Sequence, residues 1–168
     1  AIVGASKEHL EKLCAETGCT VANINSAAQQ VLSGSKDALA KAAETAKALG
    51  IKRAIPLATA GAFHSRFMEP ARVKLASVLE TIEFKAPKFP VLSNVTGEPH
   101  SSDPAAIKAL MLEQVTGTTN WAQDVVTARD LGCDTFVEFG PGKVLSGLIK
   151  KIDPALDVSN VSDMTAFN

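Results

Sequence analysis

The residue best placed to move protons is His64. It lies in the run Thr59-Ala60-Gly61-Ala62-Phe63-His64-Ser65, among small residues that leave room for other groups to approach. An imidazole at such a loop-to-helix junction can take up and release a proton near neutral pH. A general base also needs a nucleophile, and the Gly-x-Ser-x-Gly elbow that would present one is missing: Val144 stands where Leu145-Ser146-Gly147 needs its first glycine. Ser65 adjoins His64, and its side chain is expected to point elsewhere. Gln114 is the second unusual residue. It falls on the apolar stripe of a helix with Ile107, Leu110 and Met111, and a buried amide without partners costs roughly 1–3 kcal/mol. A third polar group, Asn23, Asn25, Ser26 and Gln29, is denser than a strand–turn–strand needs for turn chemistry alone.

Other chemistries fail on spacing. Gly140-Pro141-Gly142-Lys143 resembles a phosphate loop, but Val137 and Val144 occupy the positions of the first glycine and the hydroxyl residue. A dinucleotide fingerprint would want glycine where Leu145 stands. The turn is therefore expected to serve tight strand–helix packing. His9, Cys14 and Cys19 match no zinc spacing, so no metal site is expected. Cys14 reads as a small core residue, and His9 and His100 as exposed surface.

The elements that must position these residues follow from the hydrophobic pattern. Ala1–Val3 reads as a strand, Ser6 caps a helix over Lys7–Thr17 that ends at Gly18, and Thr20–Asn25 and Gln29–Ser33 read as paired strands. Ser35 caps a second helix closed by Gly50, and Ile51–Leu57 reads as a strand. That order, βαββαβ, is the ferredoxin-like arrangement. Beyond Leu57 the rhythm changes. A helix is expected from Arg66 to about Thr81, with Met68, Ala71, Leu75, Val78 and Leu79 as its stripe, then a strand over Pro90–Val95 and a turn at Thr96–Pro99. Asp103-Pro104 opens another helix, and Asn120 with Gln123 reads as a capping box for a helix ending at Leu131. Thr135–Phe139 is expected as a buried strand, Lys143–Lys151 as the last helix, and the tail from Asp153 as surface coil.

Composition sets outer limits. The chain has 168 residues with 17 Lys and Arg against 18 Asp and Glu, and 46% of its residues are hydrophobic, enough for a sizeable core. A net charge of −1 with no tyrosine argues against nucleic-acid binding. No apolar run approaches the roughly 18 residues of a membrane span. Three cysteines cannot make a disulfide framework, which points to a reducing, cytoplasmic setting. The sequence also opens on Ala1, without an initiator methionine or a leader, so it is expected to be processed or to be part of a longer protein.

With these residues in view, the chain resembles the malonyl-CoA:acyl carrier protein transacylase family. The resemblance rests on an ordered set of stretches: Asn23-Ile24-Asn25-Ser26 with Gln29 and Ser33-Gly34; Gly61-Ala62-Phe63-His64-Ser65 with Met68-Glu69-Pro70; and Ser93-Asn94-Val95-Thr96-Gly97. It continues with Gln114 seven residues before Trp121, and Glu138-Phe139-Gly140-Pro141-Gly142-Lys143-Val144-Leu145. It implies an α/β fold in which a ferredoxin-like subdomain (1–57) joins the C-terminal part of an α/β-hydrolase-like acyltransferase core (58–168). It also implies transfer of a malonyl group from CoA to the phosphopantetheine thiol of acyl carrier protein through a seryl acyl-enzyme, in fatty-acid biosynthesis. CoA thioester is then a substrate, and no cofactor is called for.

Family members carry an oxyanion-hole Gln, a Gly-His-Ser-x-Gly elbow and a carboxylate-binding Arg in an N-terminal portion absent from this sequence. The resemblance therefore implies that these residues alone are inactive and that the missing segment is a partner. His64 would be the base that activates the serine and the acid that protonates the departing thiol, and the Gln114 backbone carbonyl would orient its ring. Asn23, Asn25 and Ser26 would lie at the entrance used by CoA or the pantetheine arm. Phe63 would fill the space that an α-methyl needs, favouring malonyl over methylmalonyl groups by ~1–3 kcal/mol. Gly61, where polyketide relatives carry His or Tyr, favours a free-standing bacterial enzyme. The alternatives are an acyltransferase domain of a polyketide or fatty-acid synthase, and a non-catalytic fragment that binds a carrier.

Overall fold

The structure, a computed structural model, describes residues 1–163. Its first third is a four-stranded antiparallel sheet of β1 (Ile2–Val3), β2 (Thr20–Ser26), β3 (Gln29–Ser33) and β4 (Arg53–Ala54), in the order β2-β3-β1-β4. Helices α1 (Lys7–Thr17) and α2 (Lys36–Ala48) connect the strands, giving the ferredoxin-like βαββαβ unit. Ser6 and Ser35 accept hydrogen bonds from His9 N and Ala38 N, and Gly18 leaves α1 at φ 73°, a conformation that suits glycine. Leu13, Ala42 and Ala46 pack with Ile2, Leu32 and Ile51 into one buried cluster, the alanines allowing close approach of helix to sheet. The strand expected over Ile51–Leu57 is shorter. Ile55 still exchanges hydrogen bonds with Ala1, but Pro56 has no N–H to continue the ladder.

The second part contains a 3₁₀ turn (Arg66–Met68), α3 (Glu69–Glu80), a two-stranded hairpin of β5 (Leu92–Ser93) and β6 (Glu98–Pro99), α4 (Pro104–Gln114), α5 (Trp121–Asp130), β7 (Thr135–Phe139), α6 (Val144–Ile152) and β8 (Asp157–Val161). The helix expected to run from Arg66 is broken because Pro70 has no N–H for the carbonyl four residues back, leaving a tighter first turn. Of its expected stripe only Leu79 is buried, and Val78 is 53% exposed. The strand expected at Pro90–Val95 narrows to Leu92–Ser93, and part of the expected turn, Glu98–Pro99, pairs with it instead.

Three further expectations are corrected. Asn120 does not cap α5: its side chain donates to Val95 O, tying two segments together, while Gln123 donates to Thr127 Oγ1. β7 is not buried, since Val137 and Phe139 on its outward face are 45% and 71% exposed. The tail is not coil throughout: β8 pairs parallel with β7, and its Val158 packs on the second buried cluster, of Val125, Ile149 and Leu156. The rest of the tail, 164–168, lies outside the described residues. His9 and His100 are half-buried, each with a buried Nδ1 that has no hydrogen-bond partner. Cys14 is half-buried against the first cluster, and burial, with Cys19 nearby, raises its thiol pKa.

Asp124 on α5 is 4% exposed, and neither carboxylate oxygen has a hydrogen-bond partner among the described residues. Burial pushes its pKa from 3.8 up to about 6. The folded chain thus holds a proton that the unfolded chain has already lost between those values. Stability therefore falls as pH rises through this window, then levels off. A shift of this size corresponds to about 3 kcal/mol. Asp124→Asn is expected to be more stable than the native protein by about 1–3 kcal/mol near neutral pH, with the gain vanishing below about pH 4. Denaturant midpoints at the two pH values measure it, and an equal difference at both would contradict the assignment.

Candidate active site

His64 follows the exposed loop after β4 and is half-buried. Its φ of 54° is the single left-handed non-glycine conformation among the described residues. A side chain in that region costs of order 1–3 kcal/mol, so surrounding contacts must hold it. Ser65 supplies some of them: its hydroxyl donates to Ala62 O and accepts from Phe67 N. At 2% exposure and turned into its own loop, Ser65 has no geometry for a nucleophile.

The imidazole Nδ1 lies 3.0 Å from Gln114 O and 3.1 Å from Gly117 O. Both oxygens only accept, so in the neutral ring the hydrogen sits on Nδ1 and the lone pair on Nε2. Gln114 is the last residue of α4, where helix carbonyls lack partners within the helix. This end of the helix dipole favours a positive charge, so the arrangement can stabilise an imidazolium without a carboxylate. The Gln114 side chain is half-buried and makes no hydrogen bond among the described residues; its main chain meets the histidine. Gly117 permits the tight turn beyond α4, since a Cβ there would lie 2.9 Å from Glu113 O.

Gly117, Thr118 and Thr119 were not singled out by the sequence pattern. Thr119 N donates to Ala22 O at 2.8 Å, and Ile24 N donates to Thr119 O at 2.9 Å, so this segment extends the edge of β2 in a parallel bridge at Asn23. Thr119 Oγ1 lies 3.4 Å from His64 Nε2. The Thr118-Thr119 pair, β-branched between two helical patterns, was the available signal.

Asn23 is thus brought beside the histidine's neighbour, whereas Asn25 and buried Ser26 lie further along β2 at its hairpin end, and no hydrogen bond joins either to His64. Phe63 is 47% exposed and lines a cleft of about 530 Å³ with Val31, Leu39, Ile55 and Leu57. At the opposite motif, the Glu138 carboxylate accepts from Leu145 N, Ser146 N and Ser146 Oγ, which hold it below the usual carboxylate range. That carboxylate occupies the start of α6, where a phosphate loop would bind its anion. Among the described residues no cluster of His, Cys, Asp and Glu could hold a metal ion, and no helix is long and apolar enough to cross a membrane.

No protein-family model matches the chain. Among curated relatives, a malonyl CoA-acyl carrier protein transacylase of Bacillus subtilis is 40% identical over 168 residues, covering 97% of this chain and 53% of the relative. One of Staphylococcus aureus is 34% identical, covering 98% and 54%. Among solved structures, an acyl carrier protein S-malonyltransferase from Vibrio cholerae superposes with a TM-score of 0.93 at 36% identity, covering 99% of this chain and 56% of the other. A malonyl-transacylase solved in complex with a type II PKS acyl-carrier protein gives 0.92 at 36% identity, covering 98% and 54%. The chain spans about half the length of the relatives it matches. Over that half it is homologous, in sequence and in fold, to the malonyl CoA-acyl carrier protein transacylases.

Proposed function

We propose that this chain is the part of a malonyl-CoA:acyl carrier protein transacylase that supplies the general base. Residues 1–57 form its ferredoxin-like subdomain and 58–168 belong to the acyltransferase core. The observation that carries the reading is the His64 ring, its Nδ1 held by two backbone carbonyls and its Nε2 left as the proton acceptor. Nε2 takes the proton of a serine hydroxyl supplied from outside these residues. The serine oxygen then bonds to the malonyl carbon, the carbon–sulfur bond breaks, and the CoA sulfur receives that proton. The second half-reaction runs the same steps backward with the carrier's pantetheine thiol. Neither metal nor cofactor enters this chemistry.

In this reading Phe63 limits the acyl group from the cleft it lines, and Asn23, beside the segment that carries Thr119, meets the arriving thioester, with Asn25 and Ser26 supporting it from further along β2. The substrates are malonyl-CoA and acyl carrier protein, and the setting is cytoplasmic. The test is to incubate the full-length protein with malonyl-labelled CoA thioester. Label should become covalently bound to a serine and then discharge onto the carrier thiol. Carrier binding without covalent label would replace this reading with the non-catalytic one.

A further inference from the structure

Among the described residues three oxygen atoms lie within hydrogen-bond reach of the His64 ring nitrogens, and two of them, the carbonyls of Gln114 and Gly117, face Nδ1. The third is the Thr119 hydroxyl, 3.4 Å from Nε2. With the ring hydrogen on Nδ1, Nε2 can only accept, so Thr119 Oγ1 is the donor at the nitrogen that must take the serine proton. Its position is fixed by the main chain. Besides the two bonds of Thr119 to β2, Thr118 Oγ1 donates to Val21 O at 2.6 Å and Asn120 N donates to Asn94 O at 2.7 Å.

We infer that Thr119 is a positioning residue that holds His64 Nε2 while the serine is acylated. This rests on the acyl-transfer reading above and adds a role that differs between the two half-reactions. Before acylation the serine hydroxyl itself donates to Nε2. Once its proton has left with the first thiol, the ester oxygen has no hydrogen to give, and Nε2 would lose its partner until a second thiol arrives. The Thr119 hydroxyl fills that interval. It donates to the neutral ring and, by rotating, accepts from Nε2–H of the imidazolium. When the carrier thiol arrives, its S–H proton passes to Nε2 and its sulfur bonds to the malonyl carbon. The ester C–O bond breaks, and the serine oxygen recovers the proton from Nε2.

Thr119→Val keeps the shape and both main-chain bonds but removes the hydroxyl, and Thr119→Ser restores it. In the full-length protein, Thr119→Val should slow discharge of the acyl-serine to a thiol by about 3–10-fold, the scale of one neutral hydrogen bond, and change serine acylation by less than about twofold. The ¹⁵N signal of His64 Nε2 should move in Thr119→Val and return in Thr119→Ser. Native discharge rates in the valine variant, or a serine variant that behaves like valine, would overturn the inference. His64→Ala separates the two readings: if the serine of that variant is still acylated at the native rate, acyl transfer through His64 is wrong. The Nε2 signal, compared between proteins that keep His64 with and without the Thr119 hydroxyl, would still report independently whether that hydroxyl touches the ring.

Discussion

Replacing His64 by alanine in the full-length protein is expected to lower malonyl transfer by about 10²–10⁴-fold, the usual scale for losing a positioned general base. In barrier terms that is about 3–5 kcal/mol. The loss should fall on kcat and kcat/KM together, because the proton moves in the transition state and no ground-state contact to substrate is removed. His64 occupies a left-handed backbone position, so alanine there inherits strain without the ring contacts that offset it. His64→Asn, which tolerates that conformation better, keeps the test clean. Both variants should be equally slow, and a variant retaining more than a tenth of native transfer would refute the assignment.

The second large effect concerns the 168 residues by themselves. The hydroxyl described at Nε2 belongs to Thr119, on a segment bonded to β2 through its main chain, and Ser65 is turned into its own loop. Purified alone, this stretch is expected to show no malonyl transfer above background. It should also associate, because Phe89, Phe139 and Val144 are 77%, 71% and 70% exposed, and Val137 shares the uncovered face of β7 with Phe139. A parallel strand pair is ordinarily covered on both faces, and among the described residues β7 has a partner on one edge only. Co-expression with the remainder of the protein should restore both solubility and transfer. Light scattering and the label-transfer assay measure the two, and turnover by the isolated stretch would refute the proposed division of labour.

Much of the fold was legible because local signals and tertiary demands agree. Ser6 and Ser35 cap the helices they were expected to cap, Asp103 accepts from Ala105 N ahead of Pro104, and the first third has the expected element order βαββαβ. The misses share a cause. Asn120 looked like a cap, but a tether to Val95, 25 residues away, claims its side chain. Asp157–Val161 looked like coil because its strand character depends on pairing with β7, which local composition does not announce. At the site, His64 stood out by its type and surroundings. Its partners were harder to find, because main-chain carbonyls 50 and 53 residues away leave no signature in side-chain identity. Gln114 drew notice for an amide that makes no hydrogen bond, and the atom that meets the ring is one every residue carries.

The parallel bridge between Thr119 and β2 constrains how the two parts of the chain can move. Rocking the ferredoxin-like unit away from α4 and α5 would have to break the hydrogen bonds of Thr119 N to Ala22 O and of Ile24 N to Thr119 O, and would leave Thr119, 3.4 Å from the ring, without its main-chain anchor. Two main-chain hydrogen bonds thus stitch the sheet edge to the segment that carries Thr119. On the proposed reading, two thiol carriers as different in bulk as a nucleotide and a folded protein would reach the same imidazole past a seam that stays in place for both.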